Sequence, residues 1–340
     1  MNLLSVSHLN VNFQVKKQSL AALIDVSFTL NRGERIAIVG ESGAGKSVLG
    51  FSIVNLIGKP GYIASGSIKL DNKELTTMNL RQLQEVRGKR IAMIFQDPMM
   101  TLNPVLSIGH QLVEIIRSHT KITYKDAKNI AIEKLHKVQI ASPETRFNQY
   151  PHELSGGMRQ RVIIASVLLL NPDIIIADEP TTALDVTIQA EILQLLLAIC
   201  RDHGVALILI SHDLGVVSKV AERTLVMYAG QIVEEGPTLE IINDPQHPYT
   251  QGLLNALPQM TLPGHRLNQI QGSMPPLSER PSGCAFHPRC PYATEACKQQ
   301  QPKFIYSGVS SVACLMIENM IDEFDRDDPV QSDNVLEGER

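Results

Sequence analysis

The segment GESGAGKS, residues 40–47, directly follows the apolar run of residues 36–39. Its three glycines let the backbone curl so that successive N–H groups point into one concavity. The spacing fits G-x-x-x-x-G-K-[S/T], in which the lysine reaches the β- and γ-phosphates and the hydroxyl ligates Mg²⁺. A plain strand–helix turn needs neither the lysine nor three glycines, so the sequence predicts a nucleoside triphosphate site. The residues predicted to bind the nucleotide are Gly40, Glu41, Ser42, Gly43, Ala44, Gly45, Lys46 and Ser47.

A pair of acidic residues ends another apolar run. Residues 174–177 are Ile-Ile-Ile-Ala, and Asp178 and Glu179 follow them. Ligands of open α/β sheets bind outside the carboxyl ends of the strands, where this pair is expected to lie. Asp178 is predicted to share Mg²⁺ with Ser47, directly or through water, and Glu179 to polarise the attacking water. Alone, the pair could equally cap the next helix, but the phosphate-binding loop favours the catalytic interpretation.

Two further polar residues also end apolar runs. Gln96 follows IAMIF, and His212 follows ALILIS. A lone histidine is more often structural than functional, but this one would be a third polar strand end in a sheet that binds phosphate. We therefore expect His212 to donate to the γ-phosphate. Gln96 is expected to sense metal and water, as a further Mg²⁺ contact beside Ser47 and Asp178.

The segment LSGGMRQR, residues 154–161, predicts a second anion-binding helix end. Ser155 can cap a helix that starts at the two glycines and leave open N–H groups aimed at an anion. The segment comprises Leu154, Ser155, Gly156 and Gly157 at its start. A single nucleotide site in one chain does not need two such helix ends, which suggests that each site is shared between two chains. An ordinary capped helix with closely packed glycines is the alternative.

Composition sets the class of protein. The chain has 340 residues, is 44% hydrophobic and 19% charged, and carries a net charge of −4, which is typical of a globular protein. No basic field indicates nucleic acid as a partner, and no apolar run reaches the roughly 18 residues that span a bilayer. The first ten residues lack the basic region of a signal peptide. We expect a cytosolic protein with reduced thiols.

Short apolar runs alternate with longer stretches of helical periodicity, which predicts an α/β fold with a mostly parallel sheet. Strands are expected at 35–40, 89–98, 174–180 and 205–213, helices at 47–57, 158–170 and 187–204, and a hairpin at 224–236. Near residue 243 the chain becomes rich in proline and polar residues. The predicted units are an ATPase domain over 1–243, a small loop-rich domain over 244–320, and a disordered acidic tail over 321–340.

Six motifs follow one another in a fixed order. They are GESGAGKS, Gln96, LSGGMRQR, IIIADE, Ala183-Leu184-Asp185 and His212. In this order they resemble the nucleotide-binding subunit of ABC transporters, over about residues 3–243. The resemblance implies ATP and Mg²⁺ as ligands, an antiparallel N-terminal β region, a helical subdomain over about 97–165, and Asp185 in the D-loop. It also implies that Phe13 stacks on adenine, although a core strand residue would look the same.

The same resemblance implies how the chain assembles. In the family, two such subunits sandwich two ATP molecules head to tail, so Ser155, Gly156 and Gly157 would contact the γ-phosphate held by the other subunit. Further segments, such as YPHELSGGMRQRV and HPYTQGLLNALP, look like the ATPases of dipeptide and oligopeptide importers. This implies a second, non-identical ATPase, two membrane permease subunits and, indirectly, a periplasmic solute-binding protein. The chain would lie at the cytoplasmic face of the bacterial inner membrane.

Other functions remain open at this point. Close relatives of the peptide importers serve nickel, glutathione or antimicrobial peptides. A soluble, non-transport ABC protein acting on nucleic acid or ribosomes is another class, but such proteins usually carry two cassettes or long coiled insertions, and this chain has neither. A redox sensor centred on its cysteines is a third.

Four of the five cysteines cluster near the end of the chain. Cys284, Cys290, Cys297 and Cys314 are spaced C-x5-C-x6-C-x16-C. Four thiols in a loop-rich unit of a cytosolic protein suggest metal ligation. Structural zinc usually uses tight C-x2–4-C pairs, which are missing here, so the order of preference is iron–sulfur, zinc, then unliganded thiols or disulfides. The importer ATPases share this cysteine pattern, which implies a 4Fe–4S cluster.

Overall fold

The computed structural model describes residues 2–97, 101–182, 184–256 and 269–319. Residues 321–340, which make up the predicted acidic tail, lie outside the described residues, as do Ala183 and residues 98–100. The strands are β1 Asn2–Val15, β2 Gln18–Asn31, β3 Arg35–Val39, β4 Gly61–Leu70, β5 Lys73–Glu74, β6 Ile91–Ile94, β7 Ile174–Asp178, β8 Ala206–Ser211, β9 Arg223–Tyr228, β10 Gln231–Pro237, β11 Ile305–Ser307 and β12 Ser310–Val312.

The α-helices of the described residues surround these strands. They are α1 Lys46–Ile53, α2 Leu80–Val86, α3 Ile108–His119, α4 Tyr124–Lys137, α5 Pro143–Arg146, α6 Gly156–Leu168, α7 Val186–His203, α8 Leu214–Val220, α9 Thr238–Asn243, α10 Pro248–Asn255 and α11 Glu295–Gln299. None of them is both long and apolar enough to cross a bilayer.

An eight-stranded sheet forms the centre of the molecule, in the order β11-β12-β10-β9-β3-β8-β7-β6. The five strands from β9 to β6 in this order run parallel, and β10 to β12 are antiparallel. All residues of β7 and β8 are buried, because both faces of a parallel sheet are covered. The mostly parallel α/β fold predicted from the sequence is confirmed.

Alternate residues of the central strands supply two hydrophobic layers. Ile36 and Ile38 pack into the layer that contains α1 and the N-terminal strands. Ala37 and Val39 pack into the opposite layer with α3, α4, α6 and α7. The N-terminal strands form a separate antiparallel sheet in the order β2-β1-β4-β5, and α3 to α5 form the helical region that precedes LSGGMRQR. These two regions match the antiparallel and helical parts expected for the fold.

Helix α1 is shorter than predicted. It ends at Ile53 rather than continuing to residue 57. Asn55 adopts φ +51°, and the N–H of Leu56 donates to the carbonyl of Phe51 at 2.8 Å. This left-handed termination closes the last turn, a local conformation that the apolar periodicity of the segment does not reveal.

The segment after residue 243 shares the sheet and the core of the residues that precede it. Strand β12 pairs with β10, and Tyr249 and Phe286 are buried in the layer that also contains Tyr228. The rings of Tyr228 and Phe286 meet edge to face, with centroids 5.2 Å apart. The sequence indicated little core here, because few large apolar residues occur, but those few are packed against the main domain.

Candidate nucleotide site

The phosphate-binding loop joins β3 to α1 at the carboxyl edge of the central sheet. Gly40 has φ +152°, and a Cβ at this position would lie 2.3 Å from the carbonyl oxygen of Met227 on β9. Gly45, immediately before α1, has φ +101°. Both positions therefore require glycine, for the close approach to β9 and for left-handed backbone respectively. The loop lies where the sequence placed it, between a buried strand and a helix.

Lys46 is buried at the first turn of α1. Its Nζ donates to the carbonyls of Gly40 at 2.8 Å and Glu41 at 3.0 Å. Burial lowers the pKa of Lys46, while the charges of Glu179, Asp178 and Glu41 oppose that shift. An ammonium group buried against the loop is suited to pair with phosphate oxygens.

Ser47 and Asp178 form an oxygen pair beside the loop. The Oγ of Ser47 donates to Oδ1 of Asp178 at 3.2 Å, and Asp178 is 2% exposed. Burial raises the pKa of Asp178, and the hydrogen bond from Ser47 partly offsets this. A hydroxyl and a carboxylate at this separation suit Mg²⁺, which prefers hard oxygen ligands. A cavity of about 510 Å³ opens beside them and is also lined by Gln96.

Glu179 is the centre of a hydrogen-bond network formed by the ends of three neighbouring strands. Its Oε2 accepts from Nε2 of Gln96 at 3.0 Å and from Oγ1 of Thr182 at 3.0 Å. Its Oε1 lies 3.1 Å from Nδ1 of His212. The residue itself has φ +45°, an uncommon conformation that is often found at functional sites. The structure thus brings together Gln96, Glu179 and His212, as the sequence predicted.

Two opposing effects set the pKa of Glu179. Burial raises it, but hydrogen bonds from His212 and Thr182 and the charges of His212 and Lys46 bring the pKa below its usual value. The carboxylate is therefore ionised at neutral pH and can accept a proton or a hydrogen bond from water. Thr182 was not singled out from the sequence, although it lies only three positions after Glu179.

The serine–glycine segment begins α6 as expected. The Oγ of Ser155 accepts from the N–H of Met158 at 3.3 Å, while Leu154 is buried and anchors the turn. Ser155 and Gly156 are exposed. A Cβ on Gly157 would lie 2.8 Å from the side chain of Ile188 on α7, so that glycine allows close packing of the two helices. The first turn of α6 is open to a ligand from outside the chain.

Asp185 and Phe13 occupy positions with evident structural roles. Oδ1 of Asp185 accepts from the N–H of Ile188 at 3.0 Å and caps α7. Phe13 is half-buried near the end of β1, opposite Leu20 of β2 and Gly61 of β4. The predicted role of Asp185 in the D-loop involves a companion subunit, and the predicted stacking of Phe13 on adenine involves a nucleotide.

Two residues that contact the phosphate loop were not identified from the sequence. The hydroxyl of Tyr249 accepts from the N–H of Glu41 at 2.8 Å. The guanidinium of Arg289 donates to both carboxylate oxygens of Glu41, at 2.7 and 3.0 Å. These partners lie 208 and 248 positions from Glu41, so no local pattern could have revealed them.

The four clustered cysteines line one cavity of about 270 Å³, together with His247 and Phe286. All four are free thiols. Among the described residues, no three His, Cys, Asp or Glu side chains are arranged to hold a single metal ion. Because roughly 10–15 Å³ suffices for one water, the cavity has room for a group of several atoms. His247 is a structural residue, since its Nδ1 accepts from the N–H of Tyr249 and caps α10.

Comparisons with known proteins agree with the fold and the loop. Residues 23–182 match the family described as ABC transporter, and residues 233–297 match the family described as oligopeptide/dipeptide transporter, C-terminal region. The dipeptide transport ATP-binding protein DppD of Haemophilus influenzae is 47% identical over 92% of this chain and 95% of its own length. The oligopeptide transport ATP-binding protein AppD of Bacillus subtilis is 45% identical over 93% of this chain and 97% of its own length.

Solved structures of ATP-binding cassettes have the same fold. The dimeric cassette MJ0796, bound to ADP and phosphate in a post-hydrolysis state, superposes with a TM-score of 0.62 and 26% identity, covering 69% of this chain and 98% of that one. The cbiO1 subunit of Clostridium perfringens superposes with a TM-score of 0.61 and 28% identity, covering 72% and 91%. The family resemblance drawn from the motifs is confirmed: the chain belongs to the ABC transporter ATP-binding proteins that carry the oligopeptide/dipeptide transporter C-terminal region.

Proposed function

We propose that this chain is the ATP-hydrolysing subunit of an importer of dipeptides or oligopeptides. The observation that carries the hydrolytic role is the network at the sheet edge, in which an ionised Glu179 accepts hydrogen bonds from Gln96 and Thr182 beside the Ser47–Asp178 pair. The similarity to a dipeptide and an oligopeptide transport protein supports peptide as the solute.

Each residue of the site has a distinct part in binding the triphosphate. The N–H groups of the loop and the N-terminus of α1 cradle the phosphates, and Lys46 adds a positive charge. Ser47, Asp178 and Gln96 would hold Mg²⁺, which when bound neutralises charge on the β- and γ-phosphate oxygens. Phe13 stacks on the adenine.

Hydrolysis then depends on Glu179 and His212. Glu179 accepts a hydrogen bond from the attacking water and increases its nucleophilicity. Nδ1 of His212 lies 3.1 Å from Oε1 of Glu179, which leaves Nε2 to donate to the γ-phosphate. The hydrogen bond from Thr182 helps to keep the carboxylate ionised, and the one from Gln96 helps to orient it while the water attacks.

The γ-phosphate receives its remaining contacts from a second, non-identical ATPase subunit. The exposed helix start at Ser155, Gly156 and Gly157 faces the nucleotide of that companion, and Asp185 lies at the same interface. Support comes from the exposure of Ser155 and Gly156 and from the presence of two anion-binding helix ends in one chain. Hydrolysis separates the pair, and the Gln96 region transmits the change to two permease subunits.

The proposed location is the cytoplasmic face of the bacterial inner membrane, where the chain is held peripherally by the permeases. A periplasmic binding protein delivers the peptide on the other side. The proposed functional units are the ATPase over 1–243, with its helical subdomain near 97–165, and the cysteine-bearing unit over 244–320. Residues 320–340, which include the proposed acidic tail, lie outside the described residues.

The cysteine-bearing unit would hold a 4Fe–4S cluster on Cys284, Cys290, Cys297 and Cys314. Support comes from their shared cavity of about 270 Å³. A single zinc ion, with Zn–S distances near 2.3 Å, would need the four thiols closer together than a cluster does. Zinc therefore remains the second choice. Iron, labile sulfide and zinc analysis of anaerobically purified protein tests this, and zinc at one ion per chain without iron would contradict the cluster.

Peptide uptake tests the transport function. Cells that lack the chain should lose uptake of a labelled dipeptide or oligopeptide, and the wild-type chain, but not its Glu179→Gln variant, should restore it. The purified chain should hydrolyse ATP when assembled with its permeases. Retained uptake in cells without the chain, or co-purification with ribosomes or DNA in place of membrane subunits, would contradict the proposal.

A further inference from the structure

We propose that Arg289 is a positioning residue of the phosphate-binding loop, which neutralises Glu41 and thereby sets the affinity for ATP relative to ADP. The inference rests on the proposed function, since it concerns the same loop. It assigns to the cysteine-bearing segment a direct effect on nucleotide binding.

The contact between Arg289 and Glu41 has the geometry of a strong ion pair. Nη1 of Arg289 donates to Oε2 of Glu41 at 2.7 Å, and Nη2 donates to Oε1 at 3.0 Å. The Arg289 side chain is only 5% exposed. Two parallel, charge-assisted hydrogen bonds fix orientation as well as distance. The Glu41 side chain is 31% exposed, so burial of the guanidinium reduces screening of the pair by salt without removing it.

Arg289 also organises the chain that covers the loop. Its Nε donates to the carbonyl of Gln271 at 2.9 Å. This contact holds the stretch that leads to Met274, whose side chain lies 3.5 Å from the position of a Cβ on Gly43. Tyr249 fixes the backbone of Glu41 from the same side, at 2.8 Å. The loop is therefore held through both the backbone and the side chain of Glu41.

Electrostatics gives this contact a consequence for binding. Nζ of Lys46 donates to the backbone carbonyl of Glu41 at 3.0 Å, and the charge of the Glu41 carboxylate partly opposes the lowering of the Lys46 pKa by burial, so this carboxylate lies near the phosphate site. An unpaired carboxylate there would repel a triphosphate, and would repel it more than a diphosphate because ATP carries more negative charge. Arg289 cancels this repulsion.

The position of Arg289 connects the loop with the cysteines. Arg289 ends the 3₁₀ turn His287–Arg289, which lies between Cys284 and Cys290. The N–H of His287 donates to the carbonyl of Cys284 at 3.0 Å, and Cys290 follows Arg289 directly. A group bound by these thiols would hold the turn and, with it, the guanidinium.

The test measures ATP and ADP dissociation constants by calorimetry on the full chain, purified anaerobically, for wild type, Arg289→Gln, Glu41→Gln and the double variant. We expect Arg289→Gln to weaken ATP binding about 10-fold, which corresponds to about 1.4 kcal/mol, and ADP binding by less. Glu41→Gln keeps the backbone of the loop and removes a negative charge, so it should bind ATP more tightly than wild type. The double variant should recover most of the loss, because no bare carboxylate remains.

Two further variants separate this role from simple destabilisation. Arg289→Lys keeps the positive charge but cannot form two parallel hydrogen bonds, and it should bind ATP with intermediate affinity. If Arg289→Gln is insoluble, Arg289→Lys takes its place in the double-variant experiment with Glu41→Gln. Arg223→Gln removes a half-buried arginine that also pairs with carboxylates, those of Glu34 and Glu235. It should lower the melting temperature and leave the ratio of ATP to ADP affinity unchanged.

The inference is overturned if Arg289→Gln binds ATP as wild type does, if ATP and ADP weaken equally, or if Glu41→Gln does not restore binding in the Arg289 variant. A wild-type chain that binds no nucleotide would instead overturn the proposed function. The two failures are therefore distinguishable in one set of titrations.

Discussion

Replacing Glu179 with glutamine isolates the charge of the proposed base from its geometry. Gln96 and Thr182 both donate to Oε2 at 3.0 Å, so an amide oxygen in that place keeps both contacts. The amide nitrogen would then face Nδ1 of His212, which accepts in one neutral tautomer. The variant therefore keeps the contacts with Gln96 and Thr182, reverses the direction of the His212 hydrogen bond, and loses the negative charge and the ability to accept a proton.

The expected effect on turnover follows from that loss. A positioned base contributes about 10²–10⁴-fold, so Glu179→Gln should slow ATP hydrolysis by that factor, equivalent to about 2.7–5.4 kcal/mol at 1.36 kcal/mol per decade. The ATP dissociation constant should stay equal or fall, because removing a carboxylate near Lys46 reduces repulsion of the phosphates.

The assay is phosphate release by the assembled transporter under saturating ATP and Mg²⁺, with ATP affinity measured separately. Glu222→Gln is a matched carboxylate-to-amide control, since Glu222 pairs with Arg35 away from the site, and it should hydrolyse ATP at the wild-type rate. Unchanged turnover in Glu179→Gln would refute the catalytic role of Glu179.

Three other perturbations test the C-terminal segment. Phe286→Ala removes a buried ring packed against Tyr228 and should cost about 3–5 kcal/mol of unfolding free energy, measured by denaturant titration; a loss below about 1 kcal/mol would contradict the shared core. Burial lowers the pKa of His247 from 6.5 to about 3. Between about pH 3 and pH 6.5, therefore, His247 is protonated in the unfolded chain and neutral in the folded chain. Stability should therefore fall below pH 6.5, by at most about 1.4 kcal/mol per pH unit, and His247→Asn should flatten that fall in unfolding titrations. Cys290→Ser should weaken ATP binding in calorimetry, as Arg289→Gln does. If the two losses were fully additive in the variant that carries both substitutions, the cysteine would not act through Arg289.

The grouping of polar residues at the proposed catalytic edge was predictable from sequence because of a simple geometric rule. Gln96, Glu179 and His212 each follow a short apolar run, and the carboxyl ends of parallel strands meet at one edge of a sheet. The strands β6, β7 and β8 are neighbours in the sheet, which brings the three side chains within hydrogen-bond reach. The residue types and their positions at strand ends were sufficient to predict that these three side chains meet.

Other features depend on contacts that no local pattern encodes. The pairing of Glu41 with Arg289 joins residues 248 positions apart, and the end of α1 at Ile53 depends on the left-handed backbone of Asn55. The packing of the C-terminal segment onto the main core relies on a few large side chains such as Phe286. Their spacing is too irregular to register as helical or strand periodicity.

The central claim is that one triphosphate is held between the phosphate loop of this chain and the serine–glycine helix end of a companion ATPase. The most direct measurement is the mass of the complex formed by the Glu179→Gln chain and its companion in solution, with and without ATP and Mg²⁺. We expect a pair that forms only with ATP, and that is lost when Ser155→Arg blocks the helix end. Full-rate hydrolysis by a strictly monomeric wild-type chain, or a pair that forms equally well without nucleotide, would contradict it.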